Sequence, residues 1–290
     1  MITNRRKRGR GVIGPVILES AWWGSHDATC KPLSHCDLRS VSRVTRVTGT
    51  GGTPSIAGAA HLSFVVMRPA LLFDLDGTLV DSIELILNSA RHAFVGFQGR
   101  APTDEEWRAG IGRPLVTVFR EITGDEAEVE RLVGKYREYQ LANHDRLLHA
   151  YDGIVAALRG FAAAGHPLAI VTSKSDWLAR RALVHVGADD LFPVLVGCDT
   201  CVNHKPHPEP VERALALLGV GPSDAMFIGD SPHDVQSGRA AGVYTVGVSW
   251  GAFSRTEMDA SGADVVIDAV SELQRVVNGF SQNPPRLQTF

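Results

Sequence analysis

Cysteine is scarce in this chain, with four in 290 residues. That is too few for a disulfide framework and points to a reducing compartment, read most simply as the cytoplasm. No run approaches the roughly 18 uninterrupted apolar residues that a membrane helix needs, so neither a spanning segment nor a membrane partner is expected. An excess of positive charge is also missing, with 29 Lys+Arg against 32 Asp+Glu. The deficit is uneven: residues 1–66 hold 9 basic and 3 acidic residues, leaving 20 basic and 29 acidic in 67–290. An acidic main body argues against nucleic-acid binding, which needs a basic face. The rest of the composition, 44% hydrophobic and 21% charged, is that of an ordinary globular chain able to bury a core.

Residues 1–66 open on Arg5-Arg6-Lys7-Arg8-Gly9-Arg10 and pass through Gly49-Thr50-Gly51-Gly52-Thr53 without sustained periodicity. A secretory signal would need a clean apolar core, but Gly11–Leu18 is short and runs into Glu19. The bare Arg5-Arg6 pair is too little for a twin-arginine signal. The expectation is a disordered extension, or an upstream region not normally translated, with Met67 standing just before the first strand.

From Met67 onward, short apolar runs at Leu71–Leu75, Leu168–Val171, Pro193–Val196, Met226–Ile228 and Thr245–Val248 alternate with segments of helical period. Strands buried on both faces and separated by helices imply an α/β fold with a doubly wound parallel sheet. Its ligand would bind beyond the carboxyl ends of the strands. One interval breaks the alternation: Ile83–Val95, Asp104–Ile111, Pro114–Ile122 and Asp125–His149 all read as helices. Residues 83–149 are therefore expected to form a helical cap over a core made of 67–82 and 150–280, with 281–290 as a tail.

Asp74 and Asp76 stand one residue apart where the first strand ends, and Gly77 allows the turn that could bring both over one site. Asp230, after the fourth core strand, and Asp234 repeat the arrangement. Parallel strands end on one side, so these acids can converge, and so many carboxylates in one crevice call for a hard cation, Mg²⁺. Two further strand ends supply phosphate-facing groups, the hydroxyls of Thr172 and Ser173 before a helix start and Lys205 in a loop.

Together these residues resemble the haloacid dehalogenase-like hydrolase superfamily, over Met67 to about Asn278. Asp74-Leu75-Asp76-Gly77-Thr78, Thr172, Lys205, and Gly229-Asp230 with Asp234 match its four motifs in order. The insert after the first motif resembles the subfamily with phosphoglycolate phosphatase, β-phosphoglucomutase and a pyrophosphatase. The resemblance implies a Rossmann-like core with an α-helical cap and assigns roles: Asp74 as nucleophile, Asp76 as general acid and base, Asp74, Asp76 (by its carbonyl), Asp230 and Asp234 holding Mg²⁺, and Thr172, Ser173 and Lys205 on the phosphoryl oxygens. Asp76 favours phosphoryl transfer, because the family's dehalogenases lack this second acid.

Two departures stand out: Ser173 where many relatives carry Asn, and Asp152 in place of Pro in Tyr-Pro-Gly. Arg113 is the candidate in the cap for meeting an anionic leaving group. The expected activity is a Mg²⁺-dependent phosphatase on a small phosphorylated metabolite, phosphoglycolate first, in a monomer or homodimer. Pyrophosphatase and phosphosugar phosphatase or mutase are the alternatives of the same chemistry, and a non-catalytic phosphate-binding regulator is the alternative of another class. Cys198 and Cys201 have the spacing of half a zinc or redox site but no second pair. His204 and His207, which flank Lys205, are read as solvated loop histidines, and His233, beside Asp234, is left open between that and tuning the site.

Overall fold

The computed structural model describes residues 68–282; the expectations placed on residues 1–66 and on most of the tail lie outside the described residues. The chain begins with β1 (Ala70–Phe73), β2 (Val80–Asp81) and helices α1 (Ile83–Ala93), α2 (Asp104–Arg108), α3 (Leu115–Thr123) and α4 (Glu126–Leu147). It continues through β3 (His149–Ala150), α5 (Ile154–Ala163), β4 (Leu168–Val171), α6 (Asp176–His185), β5 (Val194–Val196) and α7 (Glu209–Leu218). The last part is β6 (Ala225–Gly229), α8 (Pro232–Ala240), β7 (Tyr244–Val248), α9 (Arg255–Ala260), β8 (Val265–Ile267) and α10 (Leu273–Gln282).

Six strands form one parallel sheet in the order β5-β4-β1-β6-β7-β8. The sheet is buried on both faces because alternate strand residues serve different layers. Leu71, Phe73, Ile170 and Ile228 face α5, α6 and α10, packing with Leu158, Leu183 and Val277. Ala70, Leu72, Val171 and Phe227 face the other way, against Val211, Ala214 and Leu215 of α7. Chain order runs outward from β1 to β5 on one side and from β6 to β8 on the other. The crevice between β1 and β6 is thus the point where the order reverses, the place at which such sheets bind ligands.

The helical insert leaves and returns through β2 and β3, which pair antiparallel with Val80 opposite Ala150 and Asp81 opposite His149. Its interior is aromatic: Phe94, Trp107, Phe119 and Tyr136 meet at centroid distances of 5.1–6.1 Å, several of them edge to face. Ile86, Leu132 and Val129 complete it. Thr103 starts α2 with a capping box closed by Glu106, and Asp125 caps α4 by accepting from the Ala127 N–H.

Candidate active site

Asp74 is the first residue past β1, and its N–H still donates to the Ile228 carbonyl at 2.9 Å, which ties it to β6. The chain then turns through Gly77 at φ +80. No other residue type suits this position, since a Cβ there would fall on the Asp230 carboxylate. The turn brings Thr78 round to donate its hydroxyl to Asp230 Oδ1 at 3.2 Å, while the Ala252 N–H donates to Asp230 Oδ2 at 2.7 Å. Asp234 lies in the first turn of α8, where its Oδ2 accepts from the Ser231 N–H and hydroxyl at 3.0 and 2.6 Å. The helix cap thereby fixes the rotamer that points Asp234 Oδ1 at the site.

Asp74, Asp230 and Asp234 offer carboxylate oxygens within 4.8 Å of one another, all three residues buried. Lys205 Nζ enters between them and donates to Asp74 Oδ1 at 2.9 Å and Asp234 Oδ1 at 2.6 Å. Burial, opposed by Lys205 and reinforced by Asp234, raises the Asp74 pKa to about 7. Burial and the neighbouring carboxylates push Asp230 well above the usual range. Burial would lower the Lys205 pKa, but Asp234 and Asp74 outweigh it and hold the ammonium charged.

The Asp76 carboxylate stands apart from this cluster. Ser82 donates to its Oδ1 at 2.6 Å, and Lys174 Nζ meets both oxygens at 2.6 and 2.7 Å. Burial raises its pKa, but Lys174 and Ser82 outweigh that and keep it ionised below the ordinary value. Asp74 and Asp76 both open onto a cleft of about 80 Å³ beneath the insert, whose far wall includes Arg113, Tyr136, Arg137 and Gln140.

The other expected residues are placed as follows. Thr172 is buried on the cleft wall, and its hydroxyl accepts from the Lys174 N–H at 3.2 Å, forming the turn at the end of β4. Ser173 also borders the cleft, but its hydroxyl donates to the Gly112 carbonyl of the insert at 2.6 Å. Lys205 bridges carboxylates beneath the site. Arg113 lines the cleft mouth and is paired with Glu121. Cys198 and Cys201 are free and half-buried, and burial raises both thiols.

Lys174 and Ser82 carry no role in the sequence analysis above. Lys174 comes two residues after Thr172 at a strand end. The signal lies in that position, yet its partner Asp76 is 98 residues away along the chain, and only the fold shows the pairing.

Three buried carboxylates against one ammonium leave two negative charges uncompensated among the described residues. An all-oxygen donor set with that deficit fits a hard divalent cation, and the raised Asp74 and Asp230 are what such a site shows without one.

Comparisons with known proteins agree with this geometry. The profile of the haloacid dehalogenase-like hydrolase family matches residues 71–248. Pyrophosphatase PpaX of Bacillus cereus (strain AH820) is 33% identical over 213 residues, 73% of this chain and 98% of that protein. PpaX of Bacillus thuringiensis (strain Al Hakam) matches to the same extent. Among solved structures, a predicted phosphatase from Clostridium acetobutylicum superposes with a TM-score of 0.66 at 29% identity, over 73% of this chain and 99% of that one. A predicted phosphoglycolate phosphatase from Haemophilus somnus shares the fold at a TM-score of 0.65 and 24% identity, over 72% and 98%. With its motifs matched in sequence and its acids gathered at the switch point of the sheet, the chain belongs to the haloacid dehalogenase-like hydrolase family and stands with its phosphatase enzymes.

Proposed function

We propose that the chain is a Mg²⁺-dependent phosphatase that hydrolyses a small phosphorylated metabolite, phosphoglycolate first, through an aspartyl-phosphate. The observation that carries this reading is the pairing of a buried Asp74–Asp230–Asp234 cluster with a separate acid, Asp76, on one cleft. A phosphate-binding regulator would need the cluster but not the second acid.

In this mechanism Lys205 holds Asp74 Oδ1 and leaves Oδ2 to attack phosphorus. The bond to the leaving oxygen breaks with its electron pair on that oxygen, which takes a proton that Asp76 has acquired from water. Asp76, again a carboxylate, then removes a proton from a water that attacks the phosphorus, and Asp74 leaves as the carboxylate. Thr172 and the backbone N–H groups after Asp74 bind the phosphoryl oxygens. Asp74, Asp230, Asp234 and the Asp76 carbonyl would hold Mg²⁺, which would supply charge neutralisation at the transferred group. The insert at 83–149 acts as a cap that excludes water and selects the substrate.

Pyrophosphate is the second reading, favoured by relatives named for that activity that are 33% identical over 98% of their length. Phosphate release from phosphoglycolate and pyrophosphate, with Mg²⁺ and with EDTA, tests both. Metal-dependent release from either supports the mechanism and ranks the substrates. A folded protein that releases none from these or from sugar phosphates contradicts it.

A further inference from the structure

The two lysines of the site are engaged differently. Lys205 is clamped between two carboxylates below the site, its side chain 1% exposed. Lys174 has one partner among the described residues, the Asp76 carboxylate, and both residues line the cleft beside Arg137 and Gln140. Its ammonium carries three N–H donors, so the Asp76 pair leaves it able to take another acceptor from the cleft. The backbone holds the residue in place, with its N–H on Thr172 Oγ1 at 3.2 Å and its carbonyl accepting from the Cys198 N–H at 3.1 Å. Meanwhile both Asp76 oxygens are engaged, one by Lys174 alone and the other by Lys174 and Ser82. In this arrangement neither oxygen is free to meet a departing group.

An in-line displacement puts the leaving oxygen opposite Asp74, in the cleft that Asp76 and Lys174 also line. We propose that Lys174 reads the charge of the leaving group: a carboxylate or phosphate on the departing portion takes the Lys174 ammonium, and this exchange frees an Asp76 oxygen for the leaving oxygen. The inference rests on the phosphatase reading and narrows it to esters and anhydrides whose leaving group is anionic. Lys174 keeps its protons throughout; the proton that reaches the leaving oxygen is the one carried by Asp76. With a neutral leaving group nothing competes for Lys174, and Asp76 stays clamped.

The test compares kcat/KM of the full chain, with Mg²⁺, on 2-phosphoglycolate, pyrophosphate and 2-hydroxyethyl phosphate. The first and last differ only in carrying a carboxylate or a hydroxymethyl group. The wild type is expected to prefer the anionic pair by at least about tenfold. Lys174→Gln is expected to lose about 10- to 100-fold on the anionic pair and, with Asp76 no longer clamped, to gain on the hydroxyethyl ester, so that the preference collapses. Lys174→Arg keeps most of the preference. Equal losses on all three substrates, or a wild type without preference, overturn the proposal. Should Lys174→Gln fail to fold, the wild-type preference and the Arg variant still decide it. A wild type that releases phosphate from none of the three overturns the phosphatase reading itself, whereas release without preference overturns this proposal alone.

Discussion

At the residue scale, burial pushes Asp74 up to about 7 while Lys174 holds Asp76, two residues on, below the carboxylate range. The sign of the first shift makes a prediction. Between about pH 4 and 7 the folded, metal-free protein keeps a proton on Asp74 that the unfolded chain has lost, so in EDTA this group makes stability fall as pH rises through that window. Mg²⁺ must displace the same proton. Calorimetric titration in two buffers of different ionisation enthalpy should show more proton release on Mg²⁺ binding at about pH 6 than at about pH 8.5, where Asp74 has already ionised; equal release at both pH values would contradict the assignment. Asp76→Asn is expected to lower turnover by about 10² to 10⁴ while Mg²⁺ still binds, which separate kinetic and binding titrations would show. The paired acids at 74 and 76 were legible in the sequence because two carboxylates behind an apolar strand have little structural use. The Lys174 partner was not, because an ion pair across 98 residues leaves no local pattern.

At the scale of elements, the loop between α2 and α3 meets the core through a hydrogen bond from Ser173 and a close approach at Gly112. Ser173 donates to the Gly112 carbonyl, and a Cβ at Gly112, which sits at φ +94, would press on the Ser231 hydroxyl. Gly112→Ala should therefore hold the insert off the cleft, lowering kcat/KM by about tenfold or more with unchanged Mg²⁺ affinity. Parallel loss of metal affinity would place the fault in the core instead. Ser173 shows how a departure from the family pattern is absorbed: its shorter side chain serves the contact between insert and core. Helix α4 was legible as the run Asp125–His149. The strand β8 was not, since three residues with two half-buried valines give too short a signal. The six-residue helix α9 carries its signal in a Ser254–Glu257 capping box rather than in an apolar period.

At the scale of the molecule, one ammonium stands between the two halves of the site. Lys205, from the loop after β5, ties Asp74, just past β1, to Asp234 of α8. Lys205→Met leaves buried carboxylates without their partner and should cost about 3–5 kcal/mol in urea unfolding, with part of the loss recovered in Mg²⁺. A near-neutral substitution would mean that the cluster is less buried than described. The parallel sheet and the convergence of strand-end acids could be read before any coordinates, because buried parallel strands and their ends have strong signatures. The pairing that closes the site depends on which strands are neighbours, which the order β5-β4-β1-β6-β7-β8 alone settles. The central claim is that Asp74 carries the phosphoryl group, and the most direct test is mass spectrometry of the protein quenched in acid during turnover of phosphoglycolate with Mg²⁺. The account predicts a phosphoryl adduct on Asp74 that is lost, with all turnover, in Asp74→Asn. Metal-dependent turnover that persists in that variant would contradict it.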